Sequence, residues 1–125
     1  MNDALIRLVL IVIAAITVVS GLAQLVAPAT VLGFIARDPG ALGPHLFATV
    51  GMFMLITGAM FLQSLWHRST EPAIPFWIGV QKAAAALLVG WAVYRGLFAP
   101  LACGVAAFDA ITGVIAFVFW NRLPR

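Results

Sequence analysis

Two charged residues interrupt apolar stretches of this sequence, and they are the first candidates for chemistry. Lys82 lies within residues 74–94, and Asp109 lies within residues 99–120. A charge in the middle of a membrane is costly unless it has a partner or faces a wet cavity. The two residues therefore indicate one of three roles. They form an ion pair that fixes the register of two helices, they form a proton or anion site, or they contact another subunit.

Small residues on the same helical faces indicate that both charges point inward. Lys82 shares its face with Gly79 and Ala85, and Asp109 shares its face with Ala106 and Gly113. Helices in a membrane pack through such small residues. The depths of the two charges are within reach of a lysine stem, but side chains lean toward the N-terminus of their own helix. In an antiparallel hairpin the two would lean apart, so direct and water-bridged pairing both remain open.

Three other polar residues, Gln24, Thr57 and Gln81, lie within apolar stretches and could support this pair. They would either extend an interior polar cluster or form separate hydrogen bonds between helices.

Metal, haem and catalytic motifs find little support in the sequence. His45 and His67 lie at opposite ends of one predicted helix, about 33 Å apart, so they cannot share an ion. Cys103 is the single cysteine, which excludes an internal disulfide. We find no carboxylate–histidine cluster, no Ser/His/Asp set and no glycine-rich phosphate loop. The sequence thus favours a protein that is not an enzyme and indicates no metal and no cofactor.

Composition defines the elements that must position these residues. Apolar residues make up 64% of the 125 positions and charged residues only 9%. About 20 apolar residues span a membrane as a helix. Four stretches reach that length, and they are residues 4–27, 46–66, 74–94 and 99–120. We predict a single domain, residues 1–125, that forms an all-α, four-helix transmembrane bundle in the lipid bilayer.

Two connections carry further information. Residues 30–36 are too short to cross a membrane and too apolar for an ordinary loop, so we predict a short interfacial helix between the first two spans. Residues 96–100 leave room only for a tight hairpin. The N-terminal stretch could pass for a secretory signal, but residues 8–36 contain no charge and exceed the length of a signal core, which favours a transmembrane helix.

Charge placement predicts the orientation of the bundle. Four arginines fall at one end of the spans and two at the other: Arg7, Arg68, Arg122 and Arg125 against Arg37 and Arg95. Positive charge concentrates on the cytoplasmic side, so both termini are expected in the cytoplasm. The basic residues are scattered singly, which argues against nucleic-acid binding despite a net charge of +3.

The end of the first span, Gly21-Leu22-Ala23-Gln24-Leu25-Val26-Ala27-Pro28, resembles the corresponding region of DoxX-like bacterial membrane proteins. Those are also four-helix chains of about this length with an apolar segment after the first helix. The resemblance implies a bacterial inner-membrane protein and an accessory subunit of a quinone-linked or thiol-linked system. This chain has no cysteine pair, and residues 4–27 hold no acidic residue, so no functional residue is carried over.

Three functions follow from these observations. The leading one is a non-catalytic accessory subunit that packs against other membrane subunits through a helix face, for which a bulky stripe on the fourth span is suited (Phe108, Ile111, Ile115 and Val118). The alternative is a small transporter of protons or a small solute, working as a homo-oligomer and using Lys82 and Asp109. The third is a membrane enzyme acting on lipid or quinone.

Overall fold

Five α-helices form in residues 2–124, the part of the chain described by the computed structural model. They are α1 (Asp3–Val26), α2 (Pro28–Ile35), α3 (Leu42–Trp66), α4 (Ala73–Tyr94) and α5 (Ala102–Arg122). The four long helices are long and apolar enough to cross a membrane, and α2 is the short helix expected after the first span. The all-α, four-helix bundle is therefore confirmed, and the chain is a multi-pass membrane protein.

Local sequence signals place most helix ends. The side chain of Asn2 accepts a hydrogen bond from the backbone N–H of Leu5 at 2.8 Å and caps α1. Helix α1 ends at Val26, because Pro28 disfavours helical conformation in the residue before it, Ala27. Gly96 ends α4 with a φ of +75°. The two backbone bonds of a Schellman cap form there, because Gly96 donates to Val93 and Leu97 donates to Ala92.

Two helix ends differ from the predicted ones. Helix α3 begins at Leu42, earlier than the predicted residue 46, since Pro44 falls in its first turn, where a missing N–H costs nothing. Helix α5 begins at Ala102, later than the predicted residue 99. The reason is that Ala99 is used in a contact between loops, described below.

The long helices pack as two antiparallel pairs, α1 with α3 and α4 with α5, joined through α1–α5 and α3–α4 contacts. The buried apolar core lies mainly toward the end that carries the chain termini, and it includes Ile6, Leu10, Phe61, Leu65, Ile78 and Phe119. Toward the other end α1 and α3 meet through glycines. A Cβ placed on Gly21 would lie 2.7 Å from the carbonyl oxygen of Gly51, so these two backbones are in direct contact.

Arg7 joins three helices at the end of the bundle that carries the termini. Its Nη1 donates to the carbonyl oxygen of Leu65 at 3.1 Å, and its guanidinium lies 5.3 Å from the centre of the Phe119 ring. Leu65 lies in the last turn of α3, where carbonyl oxygens lack partners within the helix and a positive charge is favourable. This arginine was expected only to set the orientation of the chain.

The loops at the opposite end of the bundle are bonded to each other. Ala36 and Phe98 form an isolated antiparallel bridge. The N–H of Arg37 donates to Leu97 at 3.1 Å, and the N–H of Ala99 donates to Ile35 at 2.6 Å. These two bonds fasten the connection that precedes α3 to the hairpin between α4 and α5. Backbone hydrogen bonds thus connect the two helix pairs at this end.

Candidate functional site

Lys82 and Asp109 form an ion pair inside the bundle. The Nζ atom of Lys82 lies 3.0 Å from Oδ1 of Asp109, and the two side chains are 8% and 11% exposed. Lys82 lies about 13 Å along α4 from the first residue of that helix, Ala73. Asp109 lies about 10 Å along α5 from its first residue, Ala102, and the two helices begin at opposite ends of the bundle. Both charges therefore lie near the middle of the bundle, and a lone charge at that depth would be costly.

The helix geometry explains how two side chains that should lean apart still meet. A Cβ on Gly113 would lie 3.4 Å from the amide nitrogen of Ala83 and 3.6 Å from Cβ of Lys82. The root of the lysine is therefore level with Gly113, one helical turn beyond Asp109. A turn is about 5.4 Å, and the four-carbon stem of a lysine can extend over that distance along the groove left by the glycine.

Two further residues contact the ammonium group of Lys82. The nitrogen lies 3.3 Å from the hydroxyl oxygen of Thr17, to which it donates a hydrogen bond. It also lies 5.6 Å from the centre of the Phe108 ring, within the range of a cation–π interaction. Thr17 belongs to α1, so the pair between α4 and α5 is also tied to the other helix pair. Thr17 was not among the residues that the sequence suggested as support for the pair.

A small cavity of about 10 Å³ lies next to Lys82 inside the bundle, and its surface is mainly apolar. Polar residues from all four long helices are among those that surround it: Thr17, Thr57, Gln81, Lys82 and Thr112. Gln81 donates through Nε2 to the Thr57 hydroxyl at 3.4 Å, which links α4 to α3. Two of the three polar residues expected to support the ion pair therefore lie around the same cavity, although neither forms a hydrogen bond with the pair.

Gln24 lies apart from this cluster. It follows Thr17 by two turns of α1, about 10 Å along the axis, and its Nε2 donates to the sulfur of Met54 at 3.3 Å. Because Thr17 and Gln24 are seven residues apart, they share one face of α1. They nevertheless lie at different depths in the bundle. Gln24 thus contributes to the glycine contact between α1 and α3 rather than to the ion pair.

The histidines and the cysteine do not join the site. His45, His67 and Cys103 are all exposed. Within residues 2–124, no three His, Cys, Asp or Glu side chains come close enough together to hold a metal ion.

The bulky stripe predicted on the fourth span is divided by the structure. Phe108 and Ile115 are half-buried and pack against the core, whereas Ile111 and Val118 face outward and are 60% and 40% exposed. Val114, 64% exposed, joins these two on the outward face. We call Ile111, Val114 and Val118 the outer face of α5. Phe108 belongs to the inner part of the stripe, where its ring lies against the ammonium group of Lys82.

Thr112 is a second residue near the site that sequence analysis missed. Its side chain is 1% exposed, and its hydroxyl has no hydrogen-bond partner among the described residues. It lies on the inward face of α5 between Asp109 and Gly113, and that position was the only signal in the sequence.

Comparison with known proteins identifies no relative of this chain. No protein-family model, curated protein or solved structure matches the chain.

Proposed function

We propose that this chain is a non-catalytic accessory subunit of a larger membrane complex. The observation that carries the proposal is the closed interior. The buried Lys82–Asp109 pair joins helices of the same chain, and the cavity beside it has a volume of only about 10 Å³. An interior of this kind favours a structural use of the charges. Binding to other molecules is then left to the outer surface.

The outer surface that would receive a partner is apolar over all four long helices. Lipid tails are as apolar as leucine, so a partner helix is attracted by close packing rather than by hydrophobicity. We propose the outer face of α5 as the contact surface, because its β-branched side chains (Ile111, Val114 and Val118) lose little rotamer freedom when they are packed.

The proposal includes the setting of the protein. The resemblance to DoxX-like proteins supports a bacterial inner membrane and an accessory role. The distribution of arginines supports cytoplasmic termini. Among the described residues the bias is three against two: Arg7, Arg68 and Arg122 against Arg37 and Arg95. Arg125, the fourth arginine of the predicted cytoplasmic side, lies outside the described residues.

Affinity purification tests the proposal directly. The tagged chain is extracted in mild detergent, and its companions are identified by mass spectrometry. We expect a stoichiometric set of membrane subunits. Replacing Ile111, Val114 and Val118 by alanine should release them, whereas alanines at Leu8, Val12 and Val19, which are equally outward on α1, should not. A chain that purifies alone or only with itself would contradict the accessory role.

The alternative function is transport of a proton or a small solute by a homo-oligomer. The observation that favours it is the buried ion pair together with the three threonines and the glutamine that lie around the small central cavity (Thr17, Thr57, Thr112 and Gln81). Purified protein in liposomes would show flux that Lys82→Met and Asp109→Asn abolish. No flux, or flux unchanged by both substitutions, would exclude this function for the pair.

A further inference from the structure

The side-chain amide of Gln81 makes only part of the hydrogen bonds that it can make. Its Nε2 donates to the hydroxyl oxygen of Thr57 at 3.4 Å. That hydroxyl donates in turn to the carbonyl oxygen of Phe53 at 2.8 Å, so the amide atom beside it must be the nitrogen. The amide oxygen of Gln81 is left over, and no donor within residues 2–124 bonds to it.

The oxygen of Gln81 is also not enclosed by protein. Among the described residues, the buried side-chain oxygens that lack a partner belong to Gln24 and Thr112, and the oxygen of Gln81 is not one of them. Gln81 itself is only partly buried. An amide has two N–H donors, and Gln81 directs one of them to Thr57. Its second N–H and its oxygen can therefore bind a group outside the chain.

The depth of Gln81 places this amide beyond water and lipid headgroups. Gln81 lies about 12 Å along α4 from Ala73, and the hydrocarbon core of a bilayer is about 30 Å thick. Lipid tails carry no hydrogen-bond donors, so a polar group at this depth is satisfied by protein. Glutamines in membranes meet this need by hydrogen bonds across helices. The missing donor is therefore on a helix of another chain.

A second copy of this chain carries the matching group. Copies in one membrane are inserted in the same direction, so identical residues meet at the same depth across a two-fold axis along the membrane normal. An amide with one open N–H and one open oxygen is complementary to itself, because each copy donates to the other. We propose that the Gln81 side of α4 is a dimer contact, in which two Gln81 side chains exchange a pair of hydrogen bonds.

The neighbours of Gln81 on α4 leave room for a second helix. Trp77, Ala84 and Leu88 follow the helical period on the same side, and all three are exposed. Ala84 has only a methyl group, which lets a partner helix approach closely. Trp77 and Leu88, 63% and 69% exposed, add apolar contact on either side along the helix. This surface belongs to a different helix from the outer face of α5, so the dimer does not depend on the proposed accessory role.

Disulfide cross-linking in native membranes tests the dimer contact. Cys103 is first replaced by alanine, and Ala84→Cys is then compared with Ala110→Cys, an exposed alanine near the middle of α5. With copper–phenanthroline as the oxidant, we expect a covalent dimer from Ala84→Cys and none from Ala110→Cys. Equal products from the two positions, or no product, would overturn the proposal. So would a product that forms only with the purified chain in liposomes, because another subunit would then cover this side of α4 in the cell.

Two substitutions separate the proposed bonds from the internal one. Gln81→Met keeps the length of the side chain but removes the amide, and should raise the dimer dissociation constant in liposomes about tenfold. Thr57→Val removes the internal acceptor and keeps the amide, so the dimer should persist. Energy transfer between copies labelled at Asn2→Cys, again without Cys103, measures both constants, and circular dichroism checks that the variants are folded. A monomeric wild type, an unchanged constant in Gln81→Met, or an equal loss in Thr57→Val would contradict the contact.

Discussion

The Nζ atom of Lys82 lies 3.0 Å from Oδ1 of Asp109, although the two residues come from different helices and both are buried. Burying an ion pair costs the hydration of both charges, and the attraction between them only about repays that cost. Removing one partner is much worse, because the other charge then remains buried alone. We propose that the pair contributes more to specifying how α4 and α5 align than to the total stability.

This relationship predicts a large difference between single and double substitutions. Lys82→Met should lower the free energy of unfolding by about 3–5 kcal/mol, because it leaves Asp109 without its partner. Lys82→Met combined with Asp109→Leu should restore most of that loss. Unfolding by SDS titration in mixed micelles measures both. A double variant whose loss equals the sum of the two single losses would show that the residues are not coupled.

Much of the fold follows from the sequence. The four spans and the short helix α2 were predicted from apolar length and from proline and glycine positions, and the inward faces were predicted from small residues. The depth at which residues meet was not. Gln24 and Thr17 share a face yet lie about 10 Å apart along α1, because helical period fixes direction but not the axial offset between helices.

The remaining features depend on tertiary contacts that leave no local signal. The bonds from Arg37 to Leu97 and from Ala99 to Ile35 use backbone atoms, which every residue has, so no side-chain pattern reveals them. The pairing of Lys82 with Asp109 depends on how closely Gly113 lets the two helices approach. The sequence predicted that Lys82 and Asp109 lie at similar depths, but it could not decide between a direct and a water-bridged pair.

The glycine contact between α1 and α3 gives a second prediction. A methyl group at Gly21 would lie 2.6 Å from the amide nitrogen of Leu55 and 2.7 Å from the carbonyl oxygen of Gly51, and backbone cannot move aside easily. Gly21→Ala should therefore lower the free energy of unfolding by about 1–3 kcal/mol. Gly90→Ala is the matched control, since nothing lies within 4 Å of a Cβ there. It should stabilise the helix by up to about 1 kcal/mol. Equal effects at both positions in the same SDS titration would contradict the close contact.

Arg7 provides a third prediction. The guanidinium bonds the carbonyl of Leu65 and lies over the ring of Phe119, at 3.1 and 5.3 Å. Arg7→Gln should lower the free energy of unfolding by about 1–2 kcal/mol, since a charged hydrogen bond and a cation–π contact are both lost. Arg7→Lys keeps the charge and the positive-inside signal, and should lose less. An Arg7→Gln variant as stable as the wild type would mean that the arginine serves orientation alone.

The proposed orientation predicts which loops are reachable from outside the cell. Cys103 is first replaced by alanine, and a cysteine is then introduced at Asp38 or at Asn2, both exposed and at opposite ends of the bundle. If the termini are cytoplasmic, a membrane-impermeant maleimide applied to spheroplasts should label Asp38→Cys before lysis and Asn2→Cys only after it. The physical reason is the arginine bias, which retains the richer end on the cytoplasmic side. Labelling of Asn2→Cys alone in intact spheroplasts would reverse the orientation, and labelling of both before lysis would show two populations and contradict a single orientation.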